Sequence, residues 1–502
     1  MESSVNVSEP PLRLGIPEEF AGVREFFDQI GFDDKNLCQV LSLQDMSDLG
    51  RVAWEKFEGH ELSAPLRACL QVFIRGVEFP EQDFREACGE KVLANLRSLG
   101  LLCLAKTSLE KILSPIWLYP ADGFVLASDR RSAPEGDSSA PLEDVVFPAI
   151  YSGTLRFLRL LPQTRGADAL DLCGGSGIGA LHLSRTSRSS VSADLTKRSA
   201  FFAEFNARLN GMPIESLCGD CYSPVQSRSF DLITAHPPFV PAIGPKMVYR
   251  DAGESGEDIT RRIVEGLPIH LRPGGTSVIL CVARDTVDAP FEHRVREWLG
   301  SAAREFDIIF GIEKILTTEE VVESMSRRGQ NIPESSATTL LQRLRSLGTR
   351  QFVYGAAFIR RTTKSSTSEP FRIQTTATAS AEDFEHLLAW RNHARQPDFP
   401  AWIAQSRPRL SPDLALTARH IVRDGELVPA EFVFSVDTRF RAALRPDLWT
   451  VPLLARFNGR RTVQEVFENA RAEGDLPDGF GLEALAGLVQ KMIDRELFEV
   501  DF

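Results

Sequence analysis

The chain has 502 residues, a length that predicts two to four domains. Its composition is 43% hydrophobic and 25% charged, which excludes a chain that is disordered throughout, a collagen and a coiled-coil rod. The formal net charge is −12, from 57 Lys and Arg against 69 Asp and Glu. This balance argues against a protein that clamps nucleic acid, because phosphate binding needs clustered basic side chains.

Residues 1–116 are predicted to form a helical, winged-helix-like domain. Apolar residues recur there at spacings of three and four, and a helix ending in SLGLL is common in winged-helix units. No basic recognition helix is evident, so we expect a substrate-facing cap or a dimer surface rather than DNA binding. No signal peptide and no apolar run of about 18 residues is present, which predicts a cytoplasmic chain without a membrane partner. The eight scattered Cys are expected to be buried free thiols.

The middle of the chain, residues 117–362, is predicted to be an α/β domain. After an irregular connector, short β-rich runs alternate with helical stretches, the pattern of a parallel sheet covered on both faces. Residues 363–380 are rich in Ser and Thr and are expected to be a linker. Residues 381–502 predict a C-terminal α+β domain whose last helices are followed by a small wing.

A glycine-rich turn follows the first strand of the middle domain, in the run DALDLCGGSGIGALHL. Glycine lets the backbone turn sharply and lets a ligand approach where a side chain would clash. A dinucleotide site would put a pyrophosphate here, but Asp171 at the strand end repels a pyrophosphate and suits a cation. S-adenosylmethionine (SAM) carries an ammonium and a sulfonium, so Asp171 is predicted to face its methionine end directly or through water. The turn residues predicted to bind this cofactor are Cys173, Gly175 and Gly177.

Two further acidic residues follow the next two strands. Asp194 ends the strand in SSVSADL, where a carboxylate can accept both ribose hydroxyls. Asp220 follows the third strand and is predicted to accept from the adenine amino group. The CGDC at residues 218–221 has the spacing of a redox motif, but it follows a third strand and has no second cysteine pair. No redox or metal role is therefore predicted for it.

A rigid loop is predicted after the fourth strand, FDLITA, which ends in His236-Pro-Pro-Phe. Two consecutive prolines fix φ and remove two backbone donors. Ligands of open α/β sheets bind at the carboxyl ends of the strands, so this loop is predicted to border the cofactor and the substrate.

Taken together, these motifs resemble the class I SAM-dependent methyltransferases of the small-methyltransferase group, which includes release-factor glutamine and ribosomal-RNA guanine methyltransferases. The resemblance runs through DLCGGSGIGALHLS, GDCYSPV, FDLITAHPPFV and LRPGGTSVILCV, residues 145–285, and more loosely to residue 362. It implies a Rossmann-like, seven-stranded core. It also implies that the Pro237 carbonyl accepts a hydrogen bond from a planar acceptor nitrogen and that Phe239 packs against the substrate plane.

His236 departs from that group, which has Asn at this position. Two readings stay open. Either His236 makes one orienting hydrogen bond, or it acts as a general base that takes a proton from an amine, a hydroxyl or another nucleophile. The glutamine and adenine substrates of the family are therefore not assumed for this chain. His236 is also placed among the residues that border the cofactor.

The segment after this loop, YRDAGESGEDITRRIVEG, combines two Gly-bearing turns with a helix. It is predicted to line the substrate mouth, and a solvated helix start with a capping role is the alternative. Two residues before the first strand are expected to cover the methionine end. The predicted substrate residues are Tyr249 and Arg250, joined by Asp251 and Glu254, and the covering residues are Tyr151 and Thr154.

The predicted function is SAM-dependent transfer of a methyl group to a nitrogen, less readily to an oxygen, of a protein, peptide or small molecule. One alternative is a ribosomal-RNA or other nucleic-acid methyltransferase, which the net charge disfavours. Another is a regulator that binds SAM without turnover. The C-terminal segment FNGRRTVQEVF resembles small winged, PqqD-like domains that bind leader peptides, with a structural or dimerising extension, and hence a homodimer, as the other interpretation.

Overall fold

Residues 9–54, 59, 61–130, 143–242, 248, 250–327, 334–363 and 368–502 are described by the structure, a computed structural model. Contacts within the chain divide it into two compact units. The first comprises residues 1–306 and 316–367, and the second comprises residues 307–315 and 368–502. Among the described helices, none is both long and apolar enough to cross a membrane.

The N-terminal part of the first unit is mostly helical, as the apolar spacing predicts. Helix α1 begins with a proline at its first position, and its apolar face buries Phe20, Val23 and Phe27. A small antiparallel sheet has the order β1–β3–β2, and α4 and α5 lie between β1 and β2 along the chain. The elements are α1 Pro17–Ile30, α2 Asp34–Val40, α3 Ala64–Cys69 continued by a π-helix Leu70–Arg75, β1 Phe79–Pro80, α4 Glu81–Cys88, α5 Glu90–Ser98, β2 Cys103–Leu104, β3 Lys111–Leu113, β4 Trp117–Ala121 and β5 Phe124–Ser128.

The rest of the first unit alternates strands and helices. The elements are α6 Ser152–Arg159, β6 Asp168–Leu172, α7 Ile178–Ser184, β7 Ser189–Asp194, α8 Lys197–Asn210, β8 Glu215–Cys218, β9 Phe230–Ala235, α9 Asp258–His270, β10 Leu271–Thr286, α10 Phe291–Trp298, β11 Phe306–Leu316, α11 Thr318–Arg327, α12 Glu334–Ser346 and β12 Thr349–Arg361. Residues 307–315 of β11 group with the second unit.

The sheet of the first unit has the order β12–β10–β9–β6–β7–β8. Strands β8, β7, β6, β9 and β10 are parallel, and β12 is antiparallel to β10. This arrangement confirms the predicted Rossmann-like core. The strand order reverses between β6 and β9, so the carboxyl ends of these two strands flank the crevice where open α/β sheets bind ligands.

Two asparagine side chains of α8 bind the hairpin β4–β5 by hydrogen bonds to the backbone of β5. Asn206 accepts the Ala127 N–H at 2.7 Å and donates to the carbonyls of Ala127 and Ser176. Asn210 accepts the Val125 N–H at 2.9 Å and returns a bond to the Val125 carbonyl. Because the Ser176 carbonyl belongs to the glycine-rich turn, one buried amide joins the hairpin to that turn.

A buried ion pair strengthens the same region. The Arg198 guanidinium of α8 donates to both carboxylate oxygens of Asp129, at 2.8 and 2.5 Å. The same carboxylate accepts the Val146 N–H at 2.8 Å. The pair therefore fixes the chain that enters α6 against the core.

The second unit combines a mixed sheet with helices. In it β13 pairs in parallel with β11 and antiparallel with β17, and β15 and β16 form a long hairpin. Its last helices are followed by β18, which pairs antiparallel with β14. The elements are β13 Phe371–Thr375, α13 Ala381–His393, α14 Phe399–Gln405, β14 Arg409–Leu410, β15 Ala415–Arg423, β16 Glu426–Asp437, β17 Phe440–Leu444, α15 Thr450–Leu454, α16 Val463–Glu473, α17 Leu482–Ile493 and β18 Phe498–Glu499.

Strand β13 lies inside the segment that the composition predicts to be a linker, residues 363–380. Alternation explains the difference, because Ile373 and Thr375 are buried while Gln374 between them is exposed. A Ser/Thr-rich composition hides this period-two pattern of a strand.

Candidate active site

Strand register brings three of the predicted site residues to one edge of the sheet. Leu172 of β6 lies between Ala193 of β7 and Ala235 of β9. The next residue along each strand is therefore Cys173, Asp194 or His236. Adjacent strands are about 4.8 Å apart, so Asp194 and His236 lie about 10 Å from each other across the switch point.

The glycine-rich turn combines a packing requirement with an open position. Gly177 has φ +83°, and a Cβ there would lie 2.8 Å from the Ala203 Cβ, so this glycine allows α7 to approach α8. Gly175 has φ +53°, and a Cβ there would meet nothing within 4 Å. Cys173 adopts φ +59°, which a non-glycine residue rarely does. Gly175 is thus the turn glycine that borders open space, whereas Gly177 serves packing.

The Asp171 carboxylate is buried beneath the start of α7. The Thr234 hydroxyl donates to Asp171 Oδ1 at 2.8 Å, and a Cβ on Gly179 would lie only 2.4 Å from Oδ2. Burial raises the pKa of Asp171 to about 7, although the bonds from Thr234 and the Ala180 N–H oppose that rise. The charge of Asp194 raises it further. The carboxylate therefore supports the turn from inside.

Asp194 connects the first two loops at the sheet edge. Its Oδ2 accepts the Gly175 N–H at 3.0 Å, and its Oδ1 accepts the Thr196 N–H at 3.1 Å. Burial raises the pKa of this carboxyl also, against these hydrogen bonds. The Ser199 and Thr196 hydroxyls also donate to this carboxylate.

Asp220, the residue predicted to accept from adenine, lies after β8. Its side chain is exposed, and the Arg262 guanidinium of α9 donates to its Oδ2 at 2.8 Å. The Asp220 carboxylate is thus paired with the positive charge of Arg262.

The His236 ring lies between two aromatic rings. Its centroid is 5.5 Å from Phe157 of α6, at 31°, and 6.1 Å from Phe239, at 25°. Gly153 of α6 faces the same ring, since a Cβ there would lie 3.6 Å from His236 Cε1. Burial lowers the pKa of His236 to about 4, so the imidazole is neutral at physiological pH. Pro237 is buried beside it.

The loop after β9 is held by the segment that precedes α9. The Val240 N–H donates to the Arg250 carbonyl at 3.0 Å, and the Ala252 N–H donates to the Val240 carbonyl at 3.0 Å. Gly256 has φ +81°, and a Cβ there would lie 2.6 Å from the Phe239 carbonyl oxygen. This close contact requires glycine at position 256 and packs the segment before α9 against the loop.

The residues predicted to bind the substrate differ in the exposure of their side chains. The Arg250 guanidinium donates to Asp251 Oδ1 at 2.6 Å, and these side chains are only 11% and 3% exposed. Glu254 is exposed. Tyr249 lies outside the described residues. The Arg250–Asp251 pair is therefore part of the loop's own support.

The residues predicted to cover the methionine end lie at the start of α6. Tyr151 precedes this helix, and its ring stacks on Phe147 with centroids 4.8 Å apart. Thr154 is half-buried within the helix. Their positions near Gly153 and Phe157 place them beside the His236 loop.

Glu257 is a supporting residue that the sequence analysis missed. It is buried, and its carboxylate oxygens accept from the Arg284 N–H and side chain and from the Arg294 guanidinium at 2.7 to 3.0 Å. It thereby ties the start of α9 to β10 and α10. Because its partners lie 27 and 37 residues away, no local pattern reveals the cluster.

The thiols differ in part from expectation. All eight are free, but only Cys69 and Cys281 are buried, and Cys103 and Cys218 are exposed. Within the residues that the structure describes, no group of three or more His, Cys, Asp and Glu is arranged to hold a metal ion.

Comparison with known proteins agrees with this geometry over the centre of the chain. Ribosomal protein uL3 glutamine methyltransferase of Bradyrhizobium diazoefficiens is 30% identical over 159 residues, 28% of this chain and 49% of that protein. Release factor glutamine methyltransferase of Geobacter sulfurreducens is 30% identical over 131 residues, 24% and 45% of the two chains. Ribosomal RNA small subunit methyltransferase C of Alcanivorax borkumensis is 27% identical over 145 residues, 27% and 41%. This chain thus spans about half the length of the curated relatives it matches.

One similar solved structure is a 16S rRNA N2 G1207 methyltransferase of T. thermophilus in complex with AdoMet and guanosine. It is 17% identical, covers 46% of this chain and 60% of its own, and has a TM-score of 0.26. The strand order defines the core of this chain as a Rossmann-like α/β core. Residues 148–301 match the family model of the methyltransferase small domain.

Proposed function

We propose that this chain is a SAM-dependent methyltransferase that transfers a methyl group to a nitrogen of a protein or peptide. The observation that carries the proposal is the juxtaposition at one sheet edge of two carboxylates, Asp171 and Asp194, with the His236-Pro-Pro-Phe loop. The relatives named as methyltransferases of a ribosomal protein and a release factor support a protein acceptor. A small-molecule acceptor, a homodimer and a cytoplasmic location stay predictions.

The carboxylates fit a cationic cofactor. Burial, with a contribution from the charge of Asp194, raises the pKa of Asp171 to about 7, and burial raises the pKa of Asp194, so both carboxyls disfavour their own charge without a cation nearby. Asp194 would accept the ribose hydroxyls beside the Gly175 N–H that it already accepts, and Gly175 leaves room for the ligand. Asp171 would favour the charged methionine end through the turn it supports. SAM supplies an activated methyl group on a sulfonium, so catalysis needs mainly alignment and exclusion of water.

His236 and Pro237 would orient the acceptor nitrogen. A neutral imidazole offers one acceptor nitrogen and one donor nitrogen, and the Pro237 carbonyl offers a second acceptor. Together they can fix the N–H groups of the acceptor so that its lone pair points at the methyl carbon. The pKa of about 4 favours the orienting role over the general-base role, because so weak a base holds a proton poorly near neutral pH.

The acceptor class is tested with SAM labelled on its methyl group. The full chain is incubated with a bacterial extract treated with nuclease, and in parallel with the RNA fraction of that extract. Label in protein that disappears with His236→Ala and persists with Gly487→Ala, a change in α17 where a Cβ meets nothing within 4 Å, supports the proposal. Label in RNA alone would favour a nucleic-acid acceptor, and SAM binding without transfer would favour a regulator.

A further inference from the structure

Three exposed arginines come together at the start of α16 in the second unit. The Val463 N–H, at the first position of this helix, donates to the Ser406 carbonyl at 3.1 Å and so pairs two distant segments. The next residue, Arg407, reaches across and donates to the Arg460 carbonyl. Arg461 follows directly, so all three guanidinium groups lie within side-chain reach of one peptide unit. Together they form an arginine patch.

The charge of the arginine patch is not neutralised within the chain. Among the described residues, none of its three guanidinium groups forms an ion pair. The neighbouring Arg409, by contrast, is paired with Glu499 at 2.9 Å, and the Glu465 carboxylate accepts the Thr462 N–H at 2.8 Å. Like charges held together repel one another, and the positive end of the α16 dipole adds to their potential. A chain of net charge −12 thus holds a local excess of positive charge.

We infer that the arginine patch is a docking site for an acidic segment of a partner protein. A guanidinium group presents its donors in a planar fork that matches a carboxylate, and clusters of arginine recognise acidic motifs. An arriving carboxylate would also relieve the mutual repulsion of the three cations. The inference does not depend on the proposed methyl transfer, because it concerns binding alone.

The surroundings favour a peptide over a nucleic acid. Two carboxylates lie beside the patch: Glu465 in the first turn of α16, and Glu499 on Arg409, whose Cβ would lie 3.7 Å from a Cβ on Gly459. A nucleic-acid strand carries a phosphate about every 3.4 Å, so its backbone would meet these carboxylates as well. A peptide can place acidic residues at the arginines and uncharged residues opposite Glu465 and Glu499. The net charge of −12 also repels a long polyanion.

The double variant Arg460→Gln/Arg461→Gln separates docking from structural support. Within the described ranges neither of these two side chains has a hydrogen-bond or ion-pair partner, and the backbone carbonyl that Arg407 contacts is kept. The double variant Arg423→Gln/Arg471→Gln is the matched control. It removes two exposed arginines of the same unit, one at the end of β15 and one in the last turn of α16.

Binding of a fluorescently labelled oligoglutamate to the full chain is measured by fluorescence anisotropy. Unlabelled oligoglutamate, single-stranded RNA of equal length and inorganic phosphate serve as competitors, and Tm is measured by scanning calorimetry. We expect Arg460→Gln/Arg461→Gln to raise the Kd for oligoglutamate about tenfold at low salt, which corresponds to the loss of two exposed ion pairs. The control variant should bind as wild type does, and the Tm of both variants should be unchanged. The affinity of wild type should fall as salt rises, because these charges are exposed to solvent.

Five results would overturn the inference. Wild type that does not bind oligoglutamate, or that binds it no better than Arg460→Gln/Arg461→Gln, has no such docking site. An equal loss in the control variant would show that only the overall charge matters. Displacement of the label by RNA at lower concentration than by oligoglutamate would show a nucleic-acid site, and displacement by phosphate at lower concentration would show a simple anion site. A lower Tm of Arg460→Gln/Arg461→Gln would show that the arginines support the fold instead.

Discussion

The buried carboxylate of Asp171 predicts a specific dependence of stability on pH. Its pKa is raised from the ordinary 3.8 to about 7, so between these values the folded chain binds a proton that the unfolded chain has lost. Stability conferred by this group is therefore fully present below pH 3.8 and is lost as pH rises through 7. The shift corresponds to about 4 kcal/mol, an upper limit because the neighbouring Asp194 shares the interaction.

Asp171→Asn tests this reasoning in the ligand-free protein. The amide oxygen can still accept from the Thr234 hydroxyl, but the buried charge is gone. Between pH 4 and pH 8 the free energy of unfolding of wild type should fall by up to about 4 kcal/mol more than that of the variant. Urea unfolding across this range measures the difference, with the exposed Asp28→Asn as the control. Parallel pH curves for wild type and Asp171→Asn would refute the account of a strained carboxylate, while loss of SAM affinity in Asp171→Asn would support its place in the cofactor site.

Three further perturbations follow from named contacts. Arg198→Ala leaves a buried carboxylate without its partner and should lower the free energy of unfolding, measured in urea, by about 3–5 kcal/mol. The exposed control Lys197→Ala should lower it by under about 0.5 kcal/mol. Equal losses in the two variants would contradict the buried ion pair. Gly179→Ala puts a Cβ 2.4 Å from the Asp171 carboxylate beneath α7, so calorimetry should show no SAM binding by this variant. The control Gly487→Ala should bind SAM normally. Normal SAM affinity of Gly179→Ala would contradict the packing of that turn. Because the pKa of His236 is about 4, the rate of methyl transfer by wild type should not decline from pH 8 to pH 5 through protonation of this ring. The variant His236→Asn should show the same pH profile at a lower rate. A decline of the wild-type rate near pH 6.5 that the variant lacks would favour the general-base role.

The sequence predicts those parts of the site that depend on local order along the chain. A buried strand, a glycine-rich turn and a helix follow one another in DALDLCGGSGIGALHL, and β6 and α7 form where that order requires. Asp194 and His236 also lie at strand ends, as alternation of strands and helices predicts. The carboxyl ends of parallel strands lie at the same edge of a sheet, so Asp194 and His236 lie at one edge irrespective of side-chain packing.

Contacts between distant segments are not predictable in this way. Asp220 follows the third strand as expected, but its pairing with Arg262 depends on which face of α9 turns towards it. The orientation of Asp171 depends on register, since Thr234 of β9 lies opposite it in the sheet. Tyr354 lies opposite Val282 only because β12 runs antiparallel to β10 with one particular alignment. No spacing within a single segment encodes these alignments.

The amide of Asn206 has a consequence for how the chain can be divided. It is fully buried and holds both the β5 backbone at Ala127 and the Ser176 carbonyl of the turn. A chain shortened to begin after β5 would leave this amide unsatisfied next to the turn that borders the cofactor space, at a cost of about 1–3 kcal/mol. The hairpin of the N-terminal segment therefore helps to hold the glycine-rich turn, because one buried side chain bonds to both.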